Sequence, residues 1–538
     1  MTGLKANEIH RLEKIYRRKV APNEVVTAEL GRYLTEVSRD IARQVGVIID
    51  RRGVIQFVIV GDNRSVTIPD LSDFSLGPKR LRGLRLVHTH LNDEPLTPDD
   101  MTDLALLRLD LVAAVGVLPD GLPGRIYIAH LLPPNERGQA WTQIPSIPFH
   151  QLNVDFTSFI TSLEDEMLRV QGESFNVRDT RERAILISVM SRGTRGAQKE
   201  AMDELVELAK SADVIVLDTV MQRPDKINSK YLMGEGKLRE IIITALQKGA
   251  TVLIFDQELS PSQLRSISEM AEIKVIDRSQ LILDIFAARA HSRDGKVQVE
   301  LAQLKYRLPM LTGKGTALSR LMGGIGGRGP GESKLETDRR RVRDRISHLE
   351  KLLKDLSRAR AQRKSRRGEM GLPIISIVGY TNAGKSTLLN ALTQSETVVE
   401  NKLFATLDTA SRRLRFPRER DVIITDTVGF IRDLPKPLFA AFRATLEELE
   451  DADLLMHVVD VSSPRFEEQM ESVEKILGEL GLAEKDRLTV FNKSDLMDKE
   501  LAQAEARSHN ALAISAMDRK TFPPLMRELE RRLWPDEE

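Results

Sequence analysis

The chain has 538 residues, 41% hydrophobic and 30% charged, with 80 Lys plus Arg against 79 Asp plus Glu. That length holds three or four ordinary domains, the composition excludes a disordered or fibrous chain, and the balanced charge points to no partner unless basic residues cluster locally. Zero cysteines exclude disulfides, thiol nucleophiles and thiolate metal sites. The opening MTGLKANEIHRLEKIYRRK lacks a signal-peptide core, and no later run approaches the roughly 20 apolar residues of a membrane span, so a cytoplasmic protein without a span is expected.

Residues 1–150 open with helix-like sequence and continue with two strand-like runs, VGVIID from Val45 and VIQFVIVG from Val54, around the turn RRG. An N-terminal α/β extension is expected there, closed by the proline-rich LLPPNERGQAWTQIPSIPF (131–149) and followed by a linker helix over 151–181. Within LVHTHLNDEPLTPDD (86–100), His88, His90 and Asp100 resemble the HxH…S/T-x-x-D zinc motif of JAB/MPN metallopeptidases, with Thr97 in the serine-like place. Two imidazoles and a carboxylate would leave Zn²⁺ one position for water. The gap after His90 is about one residue shorter than that motif has, and neither strand carries the expected glutamate base. An ordinary loop with two histidines is therefore preferred over a non-catalytic relative of that fold or a GTPase-regulated zinc metallopeptidase.

Residues 182–290 alternate strand and helix signals: AILISVM (184–190), a helix near 197–210, VIVLDTV (214–220), a helix near 236–248, TVLIF (251–255), a helix near 261–271 and IKVID (273–277). Strands separated by helices imply a parallel sheet covered by helices. Over 291–370, Val297, Leu301, Leu304, Leu308 and Leu311, then Leu335, Val342, Ile346, Leu349, Leu353 and Leu356, recur at spacings of three, four or seven. Two such stripes predict an antiparallel helical hairpin, the second helix running to about Arg367. At or near its bend lies GGIGGRGPGES (323–333), which no strand precedes, so a dinucleotide site is disfavoured. Glycines beside Arg328, Arg339, Arg340, Arg341, Arg343 and Arg345 suit close backbone approach to a polyanion, or a plain elbow.

Residues 371–538 carry the chemistry. PIISIVGYTNAGKSTLLNALT (373–393) is a strand, a G-x-x-x-x-G-K-[ST] loop and a helix. Gly379, Tyr380, Thr381, Asn382, Ala383 and Gly384 would turn backbone toward phosphates, Lys385 would reach the β- and γ-phosphate oxygens, and Ser386 would ligate Mg²⁺. VIITDTVGF (422–430) ends a strand in Asp426, placed to hold Mg²⁺ through water, with Thr427, Val428 and Gly429 following, the Gly429 amide toward the γ-phosphate. TVFNKSD (489–495) supplies Asn492, Lys493, Ser494 and Asp495. The Asp495 carboxylate accepts from the N1–H and amino group of guanine, which adenine does not offer. Ser515, Ala516 and Met517 follow the strand ALAI and would bring a backbone amide to the guanine oxygen. Between the phosphate loop and DTVG, LFATLDTA offers Thr406 or Thr409 to Mg²⁺ by spacing, with Thr406 preferred. Phe430 stands where many related GTPases have a water-orienting glutamine, so slow intrinsic hydrolysis is expected.

GYTNAGKSTLLNAL, FATLD, DTVGFIRDLP, NKSD, DRSQLILDIFAARAHSRDGKVQVELAQLKYRL (277–308) and GGIGGRGPGESKLETDRRR (323–341) together resemble the HflX family of ribosome-associated GTPases over roughly 182–538. The resemblance implies a P-loop GTPase domain preceded by an α/β subdomain and a helical hairpin. It implies guanine nucleotide contacts at Gly379–Ser386, at Phe404, Ala405, Thr406, Leu407 and Asp408, at Asp426–Gly429, at Asn492–Asp495 and at Ser515–Met517, with Mg²⁺ at Ser386 and Thr406. GTP hydrolysis would draw on Lys385, Thr406 and Gly429. It further implies that the hairpin contacts rRNA of the large (50S) subunit and that the protein, expected to be a monomer, splits stalled or idle ribosomes. A GTP-switched assembly factor without splitting activity is the alternative, and a second nucleotide site within 182–290 is left open.

Overall fold

A computed structural model describes residues 4–71, 73–74, 81–133, 135, 139–174, 181–192, 194–271, 273–290, 292–311, 331–368, 372–393, 410–416, 420–427, 429–432, 435–440 and 447–535. The chain divides into two compact units, Met1–Ile185 with Lys226–Leu253 and Ser266–Lys274, and Leu186–Asp225 with Ile254–Arg265 and Val275–Glu538. Among the described residues no helix is long and apolar enough to cross a membrane.

The first unit begins with α1 (Ala6–Glu13) and α2 (Ala28–Ile41), the latter started by Thr27, whose hydroxyl accepts from the Leu30 amide at 3.2 Å. Strands β1 (Val45–Asp50), β2 (Ile55–Val60) and β3 (Leu84–His90) are followed by α3 (Pro98–Leu106), β4 (Leu111–Val117), β5 (Pro123–Leu131), β6 (Trp141–Pro148) and α4 (Phe156–Ser174). The sheet order is β2-β1-β3-β4-β5-β6, with β3 and β4 parallel and the remaining neighbours antiparallel. Strands β1, β3 and β4 are buried along their whole lengths, as strands covered on both faces must be. His88 and His90, expected in an ordinary loop, lie instead on β3, and this corrects the sequence reading. A strand buried on both faces loses the polar alternation that identifies half-buried strands, and Arg85, His88 and His90 interrupt its apolar run.

Four further strands, β7 (Arg183–Val189), β8 (Ile215–Gln222), β9 (Val252–Phe255) and β10 (Lys274–Asp277), form a sheet ordered β10-β9-β7-β8. Helices α5 (Arg195–Ser211), α6 (Glu235–Lys248) and α7 (Pro261–Met270) connect them. After β10 come α8 (Arg278–Arg289), α9 (Arg293–Arg307) and α10 (Gly331–Gly368). Leu301, Ile346 and Leu349 bury the contact between α9 and α10, supported by Val297, Leu304, Val342 and Leu353. Arg345 forks onto Glu300 at 2.7 and 2.9 Å, and Lys305 meets Glu350 at 2.7 Å. Residues 312–330, including the glycine-rich bend, lie outside the described residues.

The last part of the chain consists of β11 (Ile374–Val378), α11 (Lys385–Thr393), β12 (Ala410–Arg415), β13 (Asp421–Asp426), β14 (Leu454–Asp460), α12 (Phe466–Glu479), β15 (Arg487–Asn492), α13 (Lys499–Ser508), β16 (Leu512–Ala513) and α14 (Phe522–Leu533). Its sheet runs β12-β13-β11-β14-β15-β16, parallel except where β12 meets β13. The registers Ile377↔Asp426, Val378↔His457 and Asp460↔Asn492 bring the carboxyl ends of the central strands to one edge. That edge is where open α/β sheets bind ligands.

Candidate active site

The phosphate loop leaves β11 at Gly379, whose φ of +153° suits glycine; a Cβ there would lie 2.1 Å from the Val458 carbonyl oxygen. Gly384, at φ +89°, starts α11, and a Cβ on it would reach within 2.2 Å of Asn492 Nδ2. Lys385 is buried, and its Nζ donates to the carbonyls of Gly379 at 3.1 Å and Tyr380 at 2.8 Å. Burial pulls its ammonium down to about 8, against the opposing pull of Asp426. The loop pairs with the segment after Asp426: the Thr381 amide donates to Phe430 O at 2.7 Å and the Phe430 amide to Gly379 O at 3.1 Å. Gly429 lies so close that a Cβ on it would stand 2.9 Å from Lys385 Nζ. The Phe430 ring is only 2% exposed, so it offers the site a backbone and no polar side chain.

A divalent cation would find hard oxygen donors here. Ser386 Oγ donates to Asp426 Oδ2 at 2.6 Å, which puts a hydroxyl and a carboxylate on one point, the donor chemistry that Mg²⁺ prefers. Thr427 Oγ1 is turned away, donating to Ile377 O at 2.6 Å.

One side-chain amide ties the two halves of the site together. Asn492 Nδ2 donates to Ala383 O in the phosphate loop at 2.9 Å, and its Oδ1 accepts from the Ala516 amide at 2.8 Å. Lys493 has φ +62° and pairs with Asp460 at 2.7 Å, and the Ser494 amide donates to Ile514 O at 3.1 Å. Beyond them Asp495 is exposed on a short turn, Ser494–Leu496, and Ser515 Oγ accepts from the Met517 amide at 3.2 Å. Phe404, Ala405, Thr406, Leu407, Asp408 and Val428 lie outside the described residues.

Beside the phosphate loop is a buried polar network that sequence reasoning missed. Tyr380 turns its side chain to Glu204 on α5, donating its hydroxyl to Oε1, while the Arg432 amide donates to that hydroxyl at 2.9 Å. Arg278, at the start of α8, meets Glu204 at 3.2 Å and Asp256 at 3.3 Å, and donates to Arg432 O at 3.1 Å. All four side chains, Tyr380, Glu204, Arg278 and Asp256, are buried. Burial, then the Glu204 carboxylate, raise the Tyr380 hydroxyl well above its ordinary value, so it stays a donor. The residues are separated by dozens to hundreds of positions, and only the charges inside the DRSQL and FIRD motifs hinted at them.

Three family descriptions match in succession: "GTP-binding GTPase N-terminal" over 199–287, "GTP-binding GTPase Middle Region" over 289–367 and "50S ribosome-binding GTPase" over 374–493. The GTPase HflX of Caldanaerobacter subterraneus subsp. tengcongensis is 46% identical over 358 residues, 66% of this chain and 82% of the relative. The chain belongs to the HflX family of GTPases. The HflX protein of Escherichia coli K12 is 41% identical over 362 residues, 67% of this chain and 84% of its own. A solved GTP-binding protein of Sulfolobus solfataricus in complex with GDP aligns at 27% identity over 65% of this chain and 98% of its own, with a TM-score of 0.37. As an HflX GTPase the chain binds guanine nucleotide and hydrolyses GTP.

Proposed function

We propose that this GTPase binds the large (50S) ribosomal subunit, acts in the cytoplasm as a monomer, and promotes dissociation of stalled or idle ribosomes. The observation that carries the reading is the match of residues 374–493 to a family described as a 50S ribosome-binding GTPase. Arg340 and Arg341, exposed on α10, support it by offering charge to rRNA phosphates.

In the site itself, the backbone from Gly379 to Gly384 and the start of α11 cradle the phosphates. Lys385 neutralises charge on the β- and γ-oxygens, and the Gly429 amide faces the γ-phosphate. Ser386, with Thr406 and, through water, Asp426, would hold Mg²⁺, which supplies charge neutralisation at the phosphates. Asp495 reads the guanine N1–H and amino group, Lys493 covers the base with its stem, and the Ser515–Met517 loop contacts the guanine oxygen. Phe430 cannot orient water, so another body must order the hydrolytic water, and the ribosome is the proposed one.

Sedimentation of purified 70S particles with the protein and a non-hydrolysable GTP analogue tests the reading: free subunits appear, with the protein in the 50S fractions. Co-sedimentation with intact 70S or 50S and no separation selects the assembly-factor alternative. Absence from every ribosomal fraction refutes ribosome binding.

A further inference from the structure

The N-terminal unit contains a buried polar cluster that GTP hydrolysis does not use. His88 and His90, two residues apart on β3, project to the same face of the sheet. The first turn of α3 delivers Asp100 to them. His88 Nε2 and His90 Nε2 are 3.0 Å apart, Asp100 Oδ1 is 3.2 Å from the first, and Oδ2 is 3.5 Å from the second. A tetrahedral zinc ion with bonds of about 2.0–2.1 Å holds neighbouring donors about 3.3–3.4 Å apart. The two imidazole nitrogens lie close to that spacing, and each has a different oxygen of the Asp100 carboxylate near it. All three residues are buried, and among the described residues they are the group of His and carboxylate side chains that could hold a metal.

The ligands are also held in place. Asp100 Oδ2 accepts from the Thr97 amide at 2.7 Å and its hydroxyl at 2.8 Å, so the cap that begins α3 also fixes the carboxylate. His90 Nδ1 donates to the Glu94 carbonyl at 2.9 Å, which leaves the Nε2 lone pair for a cation. The loop between them is anchored through Asp93, whose carboxylate accepts from the Arg125 amide and whose carbonyl accepts from the Tyr127 hydroxyl, both at 2.9 Å. Gly116, in register with His90, makes room for that carboxylate: a Cβ there would lie 1.7 Å from Asp93 Oδ1.

We propose that His88, His90 and Asp100 form a zinc site in the N-terminal unit, with three protein ligands and water at the fourth position, fastening β3 to the start of α3. Borderline first-row divalent ions such as Co²⁺ fit the same donor set. The neighbouring strand β1 presents Gly46 opposite His88, and its carboxylate, Asp50, is occupied with the Arg52 and Val54 amides. The site is therefore assigned to metal binding, with no hydrolytic base supplied from β1.

The test uses the full chain. Metal analysis after purification without chelator, and after reloading with stoichiometric Zn²⁺, is expected to find about one zinc per chain. Asp100→Asn and His88→Ala are expected to lose it, and Thr97→Ala to weaken zinc binding about 10- to 100-fold as a positioning residue. Co²⁺-loaded parent protein should show the visible d–d bands of tetrahedral coordination, and Asp100→Asn should not. Circular dichroism and thermal melting beside the parent check that each variant's N-terminal unit is folded. If a variant does not fold, chelator-stripped parent protein compared with the reloaded form gives the same answer, because only a filled site raises the melting temperature. No zinc retained by the reloaded parent, or equal zinc in the parent and both ligand variants, overturns the assignment.

Discussion

Replacing Tyr380 with phenylalanine tests whether the buried network beside the phosphate loop acts as a unit. The hydroxyl donates to the Glu204 carboxylate and accepts from the Arg432 amide at 2.9 Å. A hydrogen bond to a charged group contributes about 1.5–3 kcal/mol, and stranding the part-buried Arg432 N–H adds up to about 1 kcal/mol. Glu204→Gln keeps the shape and an acceptor oxygen but leaves Arg278 with Asp256, at 3.3 Å, as its anionic partner. Its cost should fall near about 2–3 kcal/mol, at or below the lower end of the range for breaking a buried pair outright. Both substitutions weaken the same Tyr380–Glu204 contact, so the double variant should cost about 1–2 kcal/mol less than the two losses added together. Urea unfolding at fixed excess GDP, followed by release of a fluorescent GDP analogue, measures all four corners of the cycle. Losses that add within about 0.5 kcal/mol, or a Tyr380→Phe protein as stable as its parent, would refute the argument that these groups are coupled.

Asp495→Asn should weaken GTP binding and improve xanthosine triphosphate binding, because the new amide donates to the xanthine oxygen; competition binding with both nucleotides checks it. Burial holds the Lys385 ammonium at about 8, so the free chain begins to lose that proton near pH 8 while bound phosphates would restore it. Binding then takes up a proton above pH 8, and GDP affinity should fall by up to about tenfold per pH unit there, a limb that Lys385→Met lacks in calorimetric titrations. Because Phe430 presents no polar side chain, 50S or 70S particles should raise steady-state GTP turnover at least about tenfold, about 1.4 kcal/mol off the barrier. Neutralising Arg340 and Arg341 should lower 50S affinity and make its salt dependence shallower by about one unit of log–log slope for each phosphate that the variant ceases to neutralise.

The nucleotide-binding half of the molecule was readable because its motifs are local. A phosphate loop needs strand, glycines, lysine and hydroxyl within a few residues, so Gly379 to Ser386 carries its geometry in its spacing. The helix stripes were readable for the same reason, since Val297, Leu301 and Leu304 on α9, and Val342, Ile346 and Leu349 on α10, recur at helical intervals. The Tyr380–Glu204–Arg278 network was not, because nothing in a buried glutamate's neighbours says which distant arginine it will meet. The histidine pair failed differently. HTH followed by LNDEP reads as a turn, and only tertiary burial of β3 on both faces makes it the end of a central strand.

The first unit is discontinuous in sequence, and that sets an order for its synthesis. Its sheet is complete once β6 and α4 have been made, yet residues 226–253 and 266–274 belong to the same unit. Helix α6, within the first of these segments, packs against α3, and its Ile243 joins the core beneath. At about 5–20 residues per second, Lys274 leaves the synthesising ribosome several seconds after Ile185. For that interval the face of α3 awaiting α6 stands open to solvent and to chaperones. A truncation beginning at residue 182 leaves the converse defect, α6 with its apolar face and no α3 to cover it, so the 182–538 segment expressed by itself should aggregate more readily than the full chain.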